Sequence, residues 1–330
     1  MQTALNKIKP ELRQWIKDAV SDVLINSISV VLEKLKDEII AAYAITKSEA
    51  YVSSVKLSMK HMIKYFGPQM ELGKIGVKEL DGFLGYLMKG APKGYRVYYR
   101  TLKAVFNVAI NWGYISSNPF TKIKIPKRQL NKAEYPTLEE LEKIINQLRM
   151  KCLKLGTSKK RIEGYELIID IIITAYFTGL RINELLNLRW INIDFKSGFV
   201  VVGDSKFTTK GRNQRSVPMI DKIKELLENR AQFKHDKNDF VFRTKSGKRF
   251  TKDYVSKTFK KVCREIGLDE GIRFHSNRVA FASMLAGKGV SLYHIMEMMG
   301  HKNLSVTARY SVLNKENLKE SIQVINLEVK

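Results

Sequence analysis

Hydrophobic residues recur at three- and four-residue spacing over most of this chain, which predicts a mainly helical protein. In residues 11–43, Leu12, Ile16, Ala19 and Val23 keep that spacing, and Pro10 stands where a first helical turn tolerates a missing amide proton. Residues 1–43 are therefore expected to form an N-terminal helical extension, packed on the next domain or used for self-association. Residues 44–120 continue the pattern as a small helical domain. Its clearest segment is KGYRVYYRTLKAVFNVAINWGYISSNPF. At helical pitch Tyr98, Leu102, Val105, Ala109 and Trp112 form one stripe, with Arg96, Arg100 and Lys103 opposite. Asn118-Pro119 ends the domain.

Periodicity is lost over residues 121–136, which read as a basic extended linker. Thr137 followed by Glu140 is a capping-box pattern, and it opens a second domain expected over 137–314. The longest apolar run there, IIDIIITAYFTGL, falls short of the roughly 20 residues a membrane span needs and carries Asp170, so it reads as a buried helix. INIDFKSGFVVV and RSVPM predict a small antiparallel sheet, with Ser197-Gly198 as its first turn and residues 203–214 as a longer polar connection. Residues 315–330 form a tail that shifts to β-like alternation at Ile322, Val324, Ile325 and Leu327, and it is expected to dock on a neighbouring subunit.

Charge narrows the function. The formal net charge is +25, and an excess that large opposes compaction unless a polyanion neutralises it, so nucleic acid is the expected partner. Arg96, Arg100 and Lys103 on their helix face, and Lys122, Lys124, Lys127 and Arg128 in the linker, are the expected contacts to the DNA backbone. The two cysteines make no disulfide framework, and no C-x-x-C or H-x-x-x-H cluster is present, so a structural zinc site is not expected. With no apolar leader-like block at the N-terminus and no membrane segment, the expected location is the cytoplasm.

Four short segments hold residues suited to phosphate chemistry. In YFTGLRINELLNLRW, Thr178-Gly179 breaks two apolar helices, so Arg181 enters the next one near free backbone amides, with Glu184 three residues on. In TTKGRNQRSVPM, Lys210 occupies a polar turn. In RFHSNRVAFASML, His275 and Arg278 stand at i, i+3 on one helix. In GHKNLSVTARY, Gly300 stops a helix, Asn303 caps the next, and Tyr310 follows His301 by nine residues. Singly, each has an ordinary reading: a surface ion pair, a solvated lysine, a satisfied histidine, a core tyrosine.

In the order R…K…HxxR…H…Y, however, these segments resemble the tyrosine recombinases, or phage-type integrases, over roughly residues 44–315. TGLRINELLNL is similar to the family's first arginine box, Lys210 to its hairpin lysine, HSNR to its HxxR, and GHKNLSVTARY to its GH-x8-Y element. Val279 stands where a second histidine is frequent, and MMGH replaces Leu-Gly-His. The resemblance implies a helical core-binding domain and an α-rich catalytic domain with a small antiparallel sheet, closing as a clamp around double-stranded DNA. It implies catalysis by Arg181, Lys210, His275, Arg278, His301 and Tyr310, with Glu184 in support. It further implies a site-specific recombinase that is a monomer or dimer when free and a homo-tetramer on DNA, cutting through a 3′-phosphotyrosyl link and a Holliday junction without metal, ATP or any other cofactor. The rivals are a type IB topoisomerase and a non-catalytic DNA-binding regulator on the same scaffold.

Overall fold

The computed structural model describes residues 30–126, 134–203, 214–232, 235–244, 246–301 and 303–307. The chain divides into two compact units, Met1–Gln129 and Leu130–Lys330. Among the described residues no helix is long and apolar enough to cross a membrane.

The first unit is built from α1 (Leu32–Thr46), α2 (Glu49–Phe66), α3 (Val77–Gly90) and α4 (Tyr95–Asn111). Its core takes Leu35 and Ile39 from α1, Met59 from α2, Phe83 from α3 and Leu102 and Phe106 from α4. Three differences from the sequence reading follow from this packing. The stretch 11–43 is not one uninterrupted helix, because Val31 bridges to Glu71 before α1 begins. The boundary at 43/44 falls inside α1, whose buried face belongs to the same core as α2–α4, so residues 32–43 are part of this unit. Trp112 lies past the last turn of α4 and is 37 % exposed; the buried stripe is Tyr95, Tyr99, Leu102, Val105, Phe106 and Ala109. Leu12, Ile16, Ala19 and Val23 lie outside the described residues.

The start of the expected linker is also part of this unit. Ile123 is buried, and the Tyr99 hydroxyl donates to the carbonyls of Phe120 and, at 3.1 Å, of Ile123.

The second unit begins with α5 (Leu138–Leu153). Its cap is the one the sequence specifies: the Glu140 amide donates to Thr137 Oγ1 at 3.2 Å, and Glu140 Oε2 accepts from the Thr137 amide at 2.8 Å. Next comes α6 (Lys159–Thr178), buried on most sides from Leu167 to Tyr176, which makes it the central helix. It carries one internal charge, Asp170, met at 2.7 Å by Arg230 from α8 (Asp221–Ala231). After the short α7 (Ile182–Leu186) the chain forms β1 (Ile193–Asp194), β2 (Phe199–Val202) and β3 (Arg215–Pro218), an antiparallel sheet in the order β1-β2-β3. Gly198 supplies the positive φ (75°) of the first turn. Val200 faces Val217 across the sheet, and both are buried. Because side chains alternate along a strand, Arg215 shares the inward face with Val217. The unit closes with α9 (Lys252–Glu265), α10 (Ser276–Gly287), α11 (Leu292–Met299) and α12 (Leu304–Thr307). The connection predicted over 203–214 and the tail 315–330 fall almost wholly or wholly outside the described residues.

Candidate active site

The site begins where α6 ends. Gly179 is in the left-handed region (φ 63°), and a Cβ there would lie 2.5 Å from Phe281 Cδ1, so only glycine fits this turn. The turn delivers Arg181 to the N-cap of α7. Glu184, 4 % exposed, takes both of its neighbour's offers: Oε2 accepts from the Arg181 amide and Oε1 from Arg181 Nη1, each at 2.8 Å. A buried carboxylate is costly unless paired, and one guanidinium is not its whole complement. Arg215, from the inward face of β3, donates through Nη2 at 2.7 Å and Nη1 at 3.2 Å. Burial pushes the Glu184 carboxyl up, but the hydrogen bonds and charge of Arg215, then the Arg181 bonds, outweigh it and hold it below its ordinary range.

A second organiser is the C-terminal end of α11. The last carbonyls of a helix have no partners within it and lie at the negative end of its dipole. Gly300, left-handed at φ 60°, turns the chain away and satisfies two: its own amide donates to Glu297 O at 3.0 Å and that of His301 to Met296 O at 3.1 Å. The next three carbonyls each receive a different arginine. Met298 O accepts from Arg215 Nε at 2.8 Å, Met299 O from Arg278 Nη2, and Gly300 O from Arg181 Nη2 at 3.5 Å. Arg278 also donates Nη1 to Gly179 O, which ties the end of α6 to the end of α11. It is 2 % exposed, whereas 29 % of the Arg181 side chain remains open to solvent.

His301 completes the cluster. Its Nε2 lies 3.2 Å from Arg278 Nη2, and its Nδ1 lies 2.9 Å from the hydroxyl of Thr307, which is fully buried. Guanidinium offers only donors, so Nε2 is the acceptor and Nδ1 carries the proton. Burial, then the charges of Arg278, Arg181 and Arg215, push its pKa down to about 4, so the ring is neutral near pH 7. His275 is the N-cap residue of α10, with an outer edge exposed. Desolvation by the surrounding protein, followed by the charges of Arg278 and Arg181, lowers its pKa as well.

Arg181, Glu184, Arg278 and His301 are thus brought together from three separated segments, with His275 within electrostatic reach of both arginines. Lys210 and Tyr310 lie outside the described residues, as do Lys127 and Arg128. Arg100, Lys122 and Lys124 are exposed, and Lys103 is half-buried. Arg96 donates to Pro126 O and stacks 5.2 Å from the Tyr95 ring centroid, so its guanidinium is engaged within its own unit. Sequence reasoning missed Arg215 and Thr307. The signal for Arg215 was present: it stands two residues before Val217 in a strand, on the face that points inward.

The phage integrase family matches residues 137–317, more than half of the chain, and the phage integrase SAM-like domain matches residues 31–125. The chain belongs to the phage integrase family. It is an enzyme of the tyrosine recombinase kind, a DNA strand transferase. Similar to this family member are the tyrosine recombinase XerD of Listeria innocua serovar 6a, 26 % identical over 252 residues (73 % of this chain, 80 % of the relative), and a tyrosine recombinase of Thermosipho africanus, 28 % identical over 294 residues (85 % and 94 %). Among solved structures, the fold matches the Tn1549 transposon integrase in complex with a circular intermediate DNA (TM-score 0.73, 17 % identity, 90 % of this chain and 100 % of that one). It also matches a lambda integrase tetramer bound to a Holliday junction (TM-score 0.68, 21 % identity, 86 % and 77 %).

Proposed function

We propose that this integrase-family chain is a site-specific recombinase that cuts and rejoins double-stranded DNA through a 3′-phosphotyrosyl link on Tyr310. The observation that carries the reading is the convergence of Arg181, Arg278 and His301 on the end of α11, with Arg181 open to solvent and Arg278 locked behind it. Paired cations of this kind suit a phosphate, because guanidinium forks donate charge-assisted hydrogen bonds to its non-bridging oxygens. Each preorganised donor of this type lowers a barrier by about 3–4 kcal/mol.

In the reaction, the Tyr310 oxygen attacks phosphorus, the P–O(Tyr) bond forms and the bond to the 5′-oxygen breaks. His275, neutral because its pKa is lowered, takes the phenolic proton or orients the phosphate. Lys210 gives a proton to the departing 5′-oxygen. The aryl phosphodiester keeps the bond energy, so a 5′-hydroxyl reverses the step without ATP. The arginines supply the charge stabilisation for which other phosphoryl transferases use a metal. Four protomers acting on two sites, with strands exchanged through a Holliday junction, complete the reading, and the lambda integrase tetramer supports that part by likeness of fold. The basic residues Arg100, Lys103, Lys122, Lys124, Lys127 and Arg128 contribute backbone contacts, the 137–314 region is the catalytic domain, and the chain works in the cytoplasm.

The test is covalent capture. A nicked duplex pool of random sequence is incubated with the chain in EDTA without ATP, and the linked peptide is mapped. An adduct at Tyr310 is expected. No adduct, or one on another residue, overturns the reading.

A further inference from the structure

Arg215 is the residue of this cluster that no motif announces. β3 places it on the inward face, where an unpaired cation is costly. Three of its five N–H donors are used inside the protein: two on Glu184, at 2.7 and 3.2 Å, and Nε on Met298 O at 2.8 Å. Its stem lies so close to Gly300 that a Cβ there would meet Arg215 Cδ and Nη1 at 3.1 Å. Only 7 % of the Arg215 side chain is exposed, against 29 % for Arg181. Arg215 thus grips Glu184 with both forks from inside the cluster, whereas Arg181 grips it with one and keeps an open edge.

We infer that Arg215 is a positioning residue for Arg181, acting through the Glu184 carboxylate that both grip. Two cations and one anion leave this triad with one net positive charge, carried on its open edge by Arg181. Without Arg215, Glu184 cancels Arg181 and draws both of its forks inward, so an incoming phosphate meets a neutral pair. With Arg215 in place, Glu184 is neutralised from behind and fixes the backbone amide and one fork of Arg181, leaving the other fork with only a long 3.5 Å contact to Gly300 O and 29 % of the side chain open to solvent. The inference rests on the reading of Arg181 as a phosphate ligand.

The experiment measures single-turnover adduct formation on a nicked duplex selected from the random pool by the wild-type chain, at saturating DNA and per folded molecule. Arg215→Gln is expected to slow the adduct about 100-fold while DNA affinity changes only a few-fold. Adding Glu184→Gln to it restores the net charge, and at least a 10-fold recovery is expected; a residue that merely supports the fold gives no such recovery. Arg215→Lys keeps the charge and guards against loss of folding, and it is expected to be about 10-fold slow with an unchanged melting temperature. Wild-type rates in Arg215→Gln, or a double variant no faster than Arg215→Gln, overturn the inference. If the wild-type chain captures no DNA at all, the functional reading fails and this one with it; capture with Arg215→Gln at full rate removes this one alone.

Discussion

The Nδ1 atom of His301 lies 2.9 Å from the hydroxyl of Thr307, six residues further along the chain. With Arg278 facing Nε2, this contact fixes the tautomer: the proton sits on Nδ1, and Nε2 presents a lone pair. A phosphate entering beside Arg278 brings an acceptor, and His301 must then gain a proton at Nε2 to donate to it. Thr307→Val keeps the shape of the side chain and removes the tautomer's partner. It is expected to slow adduct formation about 10-fold and to shift its pH profile. Single-turnover cleavage across pH 5–8 checks this, and an unchanged profile contradicts it.

The same histidine makes stability depend on pH. An imidazole ionises near 6.5 when unfolded, and His301 is held down to about 4 in the fold. A depressed folded pKa means that the unfolded chain binds the proton first. The contribution is therefore present above about 6.5 and is lost as pH falls towards 4. His275 is lowered in the same direction and adds to the slope. Denaturant unfolding between pH 7 and 4 is expected to show a loss of stability that His301→Asn reduces. Because a bound phosphate calls for a second imidazole proton on His301, DNA binding is expected to take up protons, which calorimetry in two buffers of different ionisation enthalpy measures directly.

The two arginines assigned to phosphate differ in what else they hold. Arg278→Ala strands the carbonyls of Gly179 and Met299 in the interior and is expected to cost about 2–4 kcal/mol of stability as well as activity. Arg181→Ala leaves Glu184 still paired with Arg215 and is expected to change stability by no more than about 1 kcal/mol while abolishing most adduct formation. Unfolding curves and adduct yields on both variants separate the roles; equal stability losses contradict them.

Gly179→Ala tests the turn that aims the site. The added methyl meets Phe281 Cδ1 at 2.5 Å and Met299 Sδ at 3.1 Å, in a backbone conformation that L side chains avoid. A destabilisation of about 1–3 kcal/mol is expected, with a fall in adduct rate because Gly179 O holds Arg278. A stable, fully active variant rules out this account of the turn.

Much of the fold was legible in the sequence because its signals are local. The Thr137–Glu140 box, the glycine stops at 179 and 300, and the turn at Gly198 depend on a few neighbouring residues, and each forms as its residues dictate. Arg181, Arg278 and His301 stand out only through their order along the chain and the resemblance to the tyrosine recombinases that it carries, since each segment taken singly has an ordinary reading. What was hidden depends on distant partners. A helical stripe says that Leu35 and Ile39 must be buried but not against which domain, so the 43/44 boundary was drawn through α1. Trp112 extended the stripe on paper, although the helix ends one residue earlier. Arg215 looked like one more basic residue because the carboxylate that explains it lies thirty-one positions away.

Three arginines from remote parts of the chain are indexed to consecutive peptide units at 298, 299 and 300. Successive Cα atoms across a trans peptide are held about 3.8 Å apart by covalent geometry, not by packing. The interval between these cations is therefore set by a ruler that no exchange of side chains at Met298 or Met299 can stretch. Such a centre tolerates drift in the sequence around it, yet a one-residue insertion or deletion at the end of α11 would reassign every cation at once.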